Sequence, residues 1–387
     1  MKIEKQHIDY IHVKFAEMQT KADLVSLLSY AKKIMYGKEC DPFLLKSINY
    51  YANPALISSR YNQFSIKKKS GGMRIINAPI KGLKSILVAL NFLLQCISEP
   101  HNAATGFVLN KSIVDNAKQH VGKLFVYNID LKDFFHSFDR NRVKMGFYCK
   151  PFDLSGCREP LAFLLACLCT HPLEIDGELR TVLPQGSPTS PTITNILCVN
   201  LDKRLTGLAK RFGAKYSRYA DDITFSSMQD IFKNEDFLKE LTRIIQEDQH
   251  LDINEKKTRL QYTSNQQEVT GLIVNEKVNV RQRYLKQIRM WIYYWEKYGY
   301  QKAQSIFVRD YKEENGHVKK GNPNLDNVLY GKLEFLKMVK GSEDSTYLKL
   351  KERFDILLGN ENKMDKLLTI WETAGIEKAM ELFYSKV

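Results

Sequence analysis

The chain has 387 residues, 44% of them hydrophobic, and its 58 Lys and Arg residues against 44 Asp and Glu residues leave a formal charge of +14. No apolar run approaches the ~20 residues of a membrane span, and the N-terminus lacks the apolar core of a signal peptide, so we expect a cytosolic protein. The 7 Cys residues form no CxxC pair, which argues against a disulfide framework or a zinc site. The positive charge favours a polyanionic partner, with nucleic acid the first candidate.

The first sixty residues are predicted to be helical. Thr20 and Asp23 have the spacing of a capping box, and apolar residues then repeat at helical intervals. A second helix is expected over residues 43–51. Two short β-type runs within residues 64–76 surround Ser70-Gly71-Gly72 and predict a hairpin, which a helix follows after Pro79.

Two strand predictions frame the middle of the chain. Residues 124–130 are a nearly continuous apolar run that ends in Asp130, and residues 215–226 form two short runs that meet at Ala220-Asp221-Asp222. Helical stretches are predicted between them, over residues 158–170 and after Pro191. This order predicts an α+β fold, an antiparallel sheet with helices on one face.

After Val280 the pattern becomes helical again, with Trp291 and Trp295 on the apolar face, where core packing is the expected role. Residues 281–340 hold 13 Lys and Arg against 6 Asp and Glu, whereas residues 341–387 hold 7 against 9. The positive charge is therefore concentrated in a patch.

Asp130, at a strand end, and Asp221 and Asp222, at a hairpin tip, suggest a metal site. Phosphoryl transfer with two Mg²⁺ ions requires carboxylates from different elements that hold the metals ~3.5–4 Å apart. Successive strand residues point to opposite faces, so Asp221 is a stronger candidate ligand than Asp222. For either element alone, an ordinary turn or cap carboxylate is the competing interpretation.

Several motifs together resemble reverse transcriptases. Tyr219–Asp222 matches the YxDD signature, Asn128–Phe135 resembles the first catalytic motif, and Leu183–Pro188 resembles the nucleotide-pocket motif. Lys67–Arg74 is similar to the basic fingers hairpin, and Asn254–Thr258 to a later lysine motif. The resemblance covers about residues 60–345 and implies a right-hand polymerase with fingers, palm and helical thumb.

Two further motifs are typical of bacterial retron reverse transcriptases. Asn116–His120 fits NAxxH, and Val269–Gly271 fits VTG. Leu329–Gly341 is similar to the thumb helix of retron and group II intron enzymes. We therefore expect an N-terminal helical region over residues 1–58, fingers and palm over 59–275, a thumb over 276–345 and a C-terminal helical extension over 346–387.

The resemblance implies roles for individual residues. Asp130, Asp221 and Asp222 would bind two Mg²⁺ ions, for which Mn²⁺ is a possible substitute, and Lys257 would act as general acid. The expected nucleotide-binding residues are Lys69, Arg74, Phe135 as a steric gate against a ribose 2′-hydroxyl, Gln185 and Gly186. The expected RNA- and DNA-binding residues are Asn116, His120, Arg281, Arg283, Lys286, Arg289, Lys332 and Lys340.

Each of these roles competes with a structural one. Phe135 fits a core position beside Phe134, and Gln185-Gly186 fits a plain loop. The lysines fit exposed surface positions. His120 fits a hydrogen-bonded structural histidine.

Kinship with retron enzymes implies RNA-directed DNA synthesis on a structured noncoding RNA of the msr-msd type. Priming from an RNA 2′-hydroxyl would leave a branched RNA-DNA product, msDNA. The implied partners are this RNA and its DNA product, dNTPs, an accessory effector in anti-phage defence and a host RNase H. We expect no association with a membrane and a location in the bacterial cytoplasm. The alternatives are another defence or group II intron-like reverse transcriptase and an inactive RNA-binding scaffold. A nucleotidyl cyclase is less consistent with the Pro-Gln-Gly turn and the basic hairpin.

Overall fold

A computed structural model describes residues 3–37, 39–53, 55, 60–67, 71–315, 321–378 and 380. The chain forms two compact units, residues 1–270 and 271–387. The predicted division into four regions remains a prediction. Within the described residues, no helix is both long enough and apolar enough to cross a membrane.

The N-terminal helices form where the sequence predicts them. They are α1 (Lys5–Glu17), α2 (Lys21–Tyr36) and α3 (Leu45–Ala52). Thr20 and Asp23 form the reciprocal capping box at the start of α2, which satisfies backbone N–H groups that the first helical turn leaves unpaired. The buried side of α2, which includes Leu24 and Leu28, belongs to the main core of this unit.

The predicted fingers hairpin consists of β1 (Tyr61–Lys67) and β2 (Met73–Pro79), which pair antiparallel. Helix α4 (Lys81–Ile97) follows directly and buries nearly all of its apolar residues. The hairpin tip at Ser70 lies outside the described residues.

A four-stranded antiparallel sheet forms the palm. Its strands are β3 (Phe125–Asp130), β6 (Lys215–Tyr219), β7 (Asp222–Ser227) and β8 (Arg259–Tyr262), in the order β6-β7-β3-β8. A separate hairpin of β4 (His171–Ile175) and β5 (Glu178–Val182), which the sequence did not predict, precedes the motif around Gln185.

Six further α-helices lie within the described residues of the first unit. They are α5 (Ile113–Lys118), α6 (Arg140–Tyr148), α7 (Glu159–Cys169), α8 (Ser190–Leu197), α9 (Val199–Arg211) and α10 (Glu235–Thr242). A π-helical segment, Arg243–Asp248, continues from α10, and the short strand β9 (Glu268–Val269) ends the unit.

The two faces of the palm sheet differ in chemistry because residues alternate along each strand. Phe225 of β7 packs edge-on against Phe237 of α10, with ring centroids 5.5 Å apart. Tyr216 of β6, on the same face, donates a hydrogen bond to Asp202 of α9 at 2.7 Å. The opposite face carries polar residues such as Thr224. The predicted α+β sheet with helices on one face is confirmed.

The second unit is almost entirely helical. After the short strand β10 (Leu272–Ile273) it contains α11 (Gln282–Tyr298), α12 (Tyr300–Asn315), α13 (Leu325–Lys340) and α14 (Ser345–Ala374). Trp291 packs on Phe307, and Trp295 on Phe354, with centroids 5.2 and 5.9 Å apart. Both tryptophans are therefore core residues, as expected.

Candidate active site

Asp130 and Asp222 face each other across the two central strands. Asp130 ends β3 and is the direct pairing partner of Asp222, which begins β7. Directly opposite residues of an antiparallel pair project to the same face, so both carboxylates lie on the polar face. Asp221 is in the adjoining turn, where its carbonyl oxygen accepts a hydrogen bond from the Leu131 amide at 3.1 Å. Pairing of β3 with β7 therefore brings all three aspartates to one end of the sheet.

The turn between β6 and β7 has two residues, Ala220 and Asp221. Ala220 has φ +59°, a backbone conformation that costs an L-residue on the order of 1–3 kcal/mol. The Arg218 guanidinium donates to the Ala220 carbonyl oxygen at 3.1 Å and pairs with Asp202 at 2.7 Å, and both charged side chains are fully buried. This ion pair holds the strained turn. Sequence reasoning missed it, although a lone Arg in a buried strand signals a buried partner.

Asp130 is held by two residues of the later lysine motif. Lys257 Nζ lies 2.9 Å from both carboxylate oxygens, and Asn254 Nδ2 donates to Oδ1 at 2.9 Å. The Lys257 side chain is 61% exposed, whereas that of Asp130 is only 12% exposed. The structure thus brings Lys257 and Asn254, two residues of one motif, to the carboxylate of Asp130, and the role of Lys257 as general acid remains a prediction.

The acidic cluster shifts the proton affinity of its members. Loss of hydration raises the pKa of Asp221, and the negative charge of Asp130 adds to the rise. The pKa of Asp222 is raised to about 7, mainly by loss of hydration and to a smaller extent by the negative charges of Asp221 and Asp130. Asp222 is nevertheless among the exposed residues. The repulsion between neighbouring carboxylates is therefore the part of the shift that a bound cation would relieve.

These carboxylates have the chemistry of a hard divalent-cation site, since Mg²⁺ binds carboxylate oxygens. Across the part of the chain that the structure describes, no three His, Cys, Asp or Glu side chains are already gathered closely enough to enclose a metal. Lys257 occupies both oxygens of Asp130 instead. A cation would have to replace this ammonium group as the counter-charge of Asp130.

Gln185 and Gly186 lie against the fingers hairpin. The Asn77 amide of β2 donates to the Gln185 carbonyl oxygen at 2.8 Å. Gly186 has φ +118°, and a Cβ atom there would lie 2.7 Å from the Asn77 carbonyl oxygen. Gly186 is predicted to bind the nucleotide, but its close neighbour in the structure is β2. Contact of either residue with a nucleotide remains a prediction.

Phe135 lies in a 3₁₀ turn, Phe134–Ser137, which begins four residues after Asp130, the last residue of β3. Phe134 is buried in the core, whereas Phe135 is only half-buried and packs against the outside of this core. The Phe135 ring centroid lies 6.5 Å from that of Phe107. This partial exposure leaves the ring accessible, which the gate prediction requires.

The basic residues of the fingers hairpin are only partly described. Arg74 is exposed on β2 opposite Ile66, and its positive charge opposes the rise in the pKa of Asp221. Lys67 is exposed at the end of β1. Lys69, predicted to bind the triphosphate, lies outside the described residues. The charge of Arg74 thus acts on the acidic cluster.

Asn116 and His120 are buried within the first unit, so the prediction that they contact RNA directly is corrected. His120 bridges the hydroxyls of Ser217 and Ser226, both at 2.7 Å. The Ser217 hydroxyl also donates to Asn116 Oδ1 at 2.7 Å. Burial lowers the pKa of His120 to about 3, so the ring is neutral. This network ties the segment of α5 to the polar face of the sheet, and the structural-histidine interpretation applies.

Four of the predicted basic residues of the second unit form an exposed group at α11, three of them within the helix and Arg281 directly before its first residue. Arg281, Arg283, Lys286 and Arg289 are all exposed, while Leu285 and Ile288 between them are buried. The group can contact a large ligand without disturbing the core. Its role in nucleic-acid binding remains a prediction.

Lys332 and Lys340 are engaged within the second unit. Lys332 Nζ lies 4.7 Å from the centroid of the Tyr284 ring and 3.2 Å from Gln287 Oε1. Lys340 Nζ pairs with Asp344 at 3.1 Å, and its side chain is only 8% exposed. Lys340 therefore ties the end of α13 to the start of α14, and the prediction that it binds nucleic acid is corrected.

Comparisons with known proteins identify the family of this chain. Residues 66–275 match the family model described as reverse transcriptase (RNA-dependent DNA polymerase). The retron Mx65 reverse transcriptase of Myxococcus xanthus is 38% identical over 225 residues, covering 56% of this chain and 51% of that protein. The retron Ec86 reverse transcriptase of Escherichia coli is 35% identical over 242 residues, covering 61% of this chain and 70% of that protein.

The chain thus spans about half the length of the Myxococcus relative. Among solved structures, telomerase from Candida albicans in complex with a fragment of telomeric RNA aligns with 84% of this chain and 66% of its own, at 11% identity and a TM-score of 0.41. The family model covers more than half of the sequence, and the Ec86 match extends over more than two thirds of that relative. The chain therefore belongs to the reverse transcriptase family and, within it, to the retron reverse transcriptases.

Proposed function

We propose that this protein is an RNA-directed DNA polymerase that copies a structured RNA by nucleotidyl transfer. The observation that carries the proposal is the pairing of Asp130 with Asp222 across β3 and β7, with Asp221 in the adjoining turn. This arrangement supplies carboxylates from two elements at one edge of a sheet, as two-metal phosphoryl transfer requires.

Asp130, Asp221 and Asp222 would hold two Mg²⁺ ions, which Mn²⁺ could replace. When bound, such ions stabilise the attacking and leaving oxygens of an in-line displacement. The raised pKa values of Asp221 and Asp222 support this role, because carboxylates that repel one another gain most from a shared cation.

Lys257 would serve as the general acid toward the leaving pyrophosphate. Its ammonium group already lies 2.9 Å from Asp130. Lys257 Nζ would turn from Asp130 toward the departing oxygen and donate a proton to it. The exposure of its side chain allows this reorientation.

The nucleotide would bind between the fingers hairpin and the palm. Arg74 and Lys69 would contact the triphosphate, and a guanidinium suits paired contacts with phosphate oxygens. Gln185 and Gly186, fastened to β2 through Asn77, would support the incoming nucleotide. Phe135 would exclude a ribose 2′-hydroxyl by steric contact.

The retron assignment extends the proposal to the partners. The protein would bind a cognate noncoding RNA of the msr-msd type, prime from an RNA 2′-hydroxyl and produce a branched RNA-DNA molecule from dNTPs. Removal of the template would require a host RNase H, and an accessory effector would link the product to anti-phage defence. The family relationship to retron reverse transcriptases supports these steps.

Two assays test the proposal. The purified full chain should extend a DNA primer on an RNA template in the presence of Mg²⁺, and Asp221→Asn should abolish extension. If the wild-type chain extended a primer on none of the templates, the polymerase proposal would be contradicted.

Expression from the native locus should yield a short DNA that stays joined to RNA until debranching. Absence of this species, with extension intact, would contradict the retron priming step alone.

A further inference from the structure

A cavity of about 770 Å³ lies beside the candidate active site in the first unit. Its wall is formed by residues of α6, by the junction of α8 and α9, and by the segment that follows α4, and it contains none of the three clustered aspartates. Most of the wall is apolar, with several amide and ammonium groups. A concave site of this size, with a mainly apolar surface and polar groups that converge on it, has the properties of a small-ligand site.

Phe107 connects this cavity to the site. It is 43% exposed, and its backbone has φ +61°, an uncommon conformation for a bulky residue. Its ring centroid lies 6.5 Å from that of Phe135 and 6.3 Å from that of Tyr219. A ligand that packs on Phe107 therefore contacts a ring that touches both the candidate gate and the YxDD turn.

The backbone around Phe107 is held in place by the palm. The Thr105 amide donates to the Arg218 carbonyl oxygen at 2.8 Å, and Asn195 Nδ2 donates to the Gly106 carbonyl oxygen at 2.9 Å. A Cβ atom on Gly106 would lie 2.6 Å from the Ala220 amide nitrogen. These contacts fix the strained position, so the exposed ring is a preformed part of the wall.

The charges of the wall favour an anion. Lys150 and Lys203 are exposed there, and neither is in an ion pair within the described ranges. Asp248 is already paired with Arg204 and Arg243. The wall carboxylate that remains to oppose the two ammonium groups is that of Glu99.

We propose that this cavity binds an unpaired nucleotide, with its base packed on Phe107 and its phosphate near Lys203 and Lys150. Bases of single strands stack on aromatic side chains, and basic residues contact the adjoining phosphates. This inference rests on the proposed function, because that function supplies an RNA partner. Occupancy would act on Phe135 through Phe107 and couple strand binding to nucleotide selection.

Cys149 provides a direct probe, because this exposed thiol lines the cavity. The full chain is treated briefly with N-ethylmaleimide, and alkylation of each cysteine is measured by peptide mass spectrometry. A short oligoadenylate RNA or free AMP is present in parallel samples. Cys157, exposed outside this cavity, is the internal control.

We expect the ligand to slow alkylation of Cys149 several-fold and to leave Cys157 unchanged. Protection by AMP would identify a free nucleotide as sufficient, and protection by the oligonucleotide alone would identify a strand. Phe107→Ala should raise the oligonucleotide concentration needed for protection by about tenfold, the effect of removing one base stack. Lys203→Glu should weaken protection as well, whereas Lys210→Glu, on the same helix outside the cavity, should not.

Unchanged alkylation of Cys149 at saturating ligand would overturn the proposal, as would full protection in both Phe107→Ala and Lys203→Glu. Primer extension by the same preparation is measured separately. Loss of extension with Cys149 protection intact would count against the proposed polymerase function and not against the cavity.

Discussion

At the scale of single residues, Asp222 is a candidate metal ligand whose ionisation is expected to lower the stability of the folded protein. Its pKa of about 7 lies above the ordinary value of 3.8 for Asp. A carboxyl group whose pKa is raised by folding destabilises the folded state progressively as the pH rises from the unfolded to the folded pKa. The carboxylates of the acidic cluster are therefore expected to destabilise the folded state at neutral pH until a cation binds.

Asp222→Asn should raise the melting temperature by a few degrees at pH 8, because it removes one of three neighbouring negative charges. The gain should be smaller at pH 5, where Asp222 of the folded protein is largely protonated. It should also abolish primer extension. Calorimetry at both pH values measures the first effect. Glu178→Gln, which removes an exposed carboxylate elsewhere, is the control and should change neither the melting temperature nor primer extension appreciably. Equal melting temperatures for the two variants would contradict the prediction.

The extension rate at limiting Mg²⁺ should rise between about pH 6 and pH 8, since protons compete with the cation for Asp222. Saturating Mg²⁺ should move the midpoint of this profile to lower pH. Single-turnover extension at several Mg²⁺ concentrations measures the shift. A midpoint that does not depend on Mg²⁺ would show that Asp222 is not a cation ligand.

Phe135→Ala should increase ribonucleotide incorporation relative to deoxyribonucleotide incorporation, by on the order of tenfold, because the half-buried ring no longer excludes the 2′-hydroxyl. The ratio of kcat/KM values for the two substrates measures this discrimination. Phe134→Leu, in the adjoining core position, should lower stability and leave the ratio unchanged. A change in stability without a change in the ratio for Phe135→Ala would support a purely structural role.

At the scale of elements, the contact between β2 and the turn at Gly186 connects fingers and palm. Gly186→Ala should lower the free energy of unfolding by at least about 1 kcal/mol, because it combines a positive φ with a crowded Cβ. Extension should fall as well, since Gln185 is fastened through the same contact. Urea unfolding and primer extension measure the two effects.

Gly207→Ala is the matched control for that prediction. Gly207 lies within α9, and a methyl group at that position would have no neighbouring atom within 4 Å. Alanine there should stabilise the helix by up to about 1 kcal/mol. If both alanine variants were equally stable, crowding at β2 would not explain Gly186.

At the scale of the whole molecule, the charge of +14 is expected to determine how binding responds to salt. Replacing Lys286 and Arg289 with Gln should reduce the slope of log affinity against log salt by about 0.7–0.9 for each phosphate that is no longer neutralised. Anisotropy titrations with an RNA-DNA duplex at several salt concentrations measure this slope. Lys349→Gln, exposed on α14, is the control, and an equal effect there would point to diffuse attraction.

Much of the architecture could be predicted because its signals are local. The capping box of Thr20 and Asp23, the fingers hairpin and the strand ending in Asp130 each depend on short stretches of sequence. The hairpin of β4 and β5 was missed. Its turn at Asp176-Gly177 follows a short strand that the apolar run of α7 obscured.

The sequence by itself indicated the fold class and the family and named the three candidate aspartates, because contiguous motifs carry that information. Tertiary structure alone decided how distant residues meet: Lys257 contacts Asp130 across 127 positions, and His120 reaches Ser226 across 106. It also showed that Asn116 and Lys340 are internal and that Gly186 is crowded by β2. The physical reason is that burial, ion pairing and steric crowding depend on neighbours that are far away along the chain.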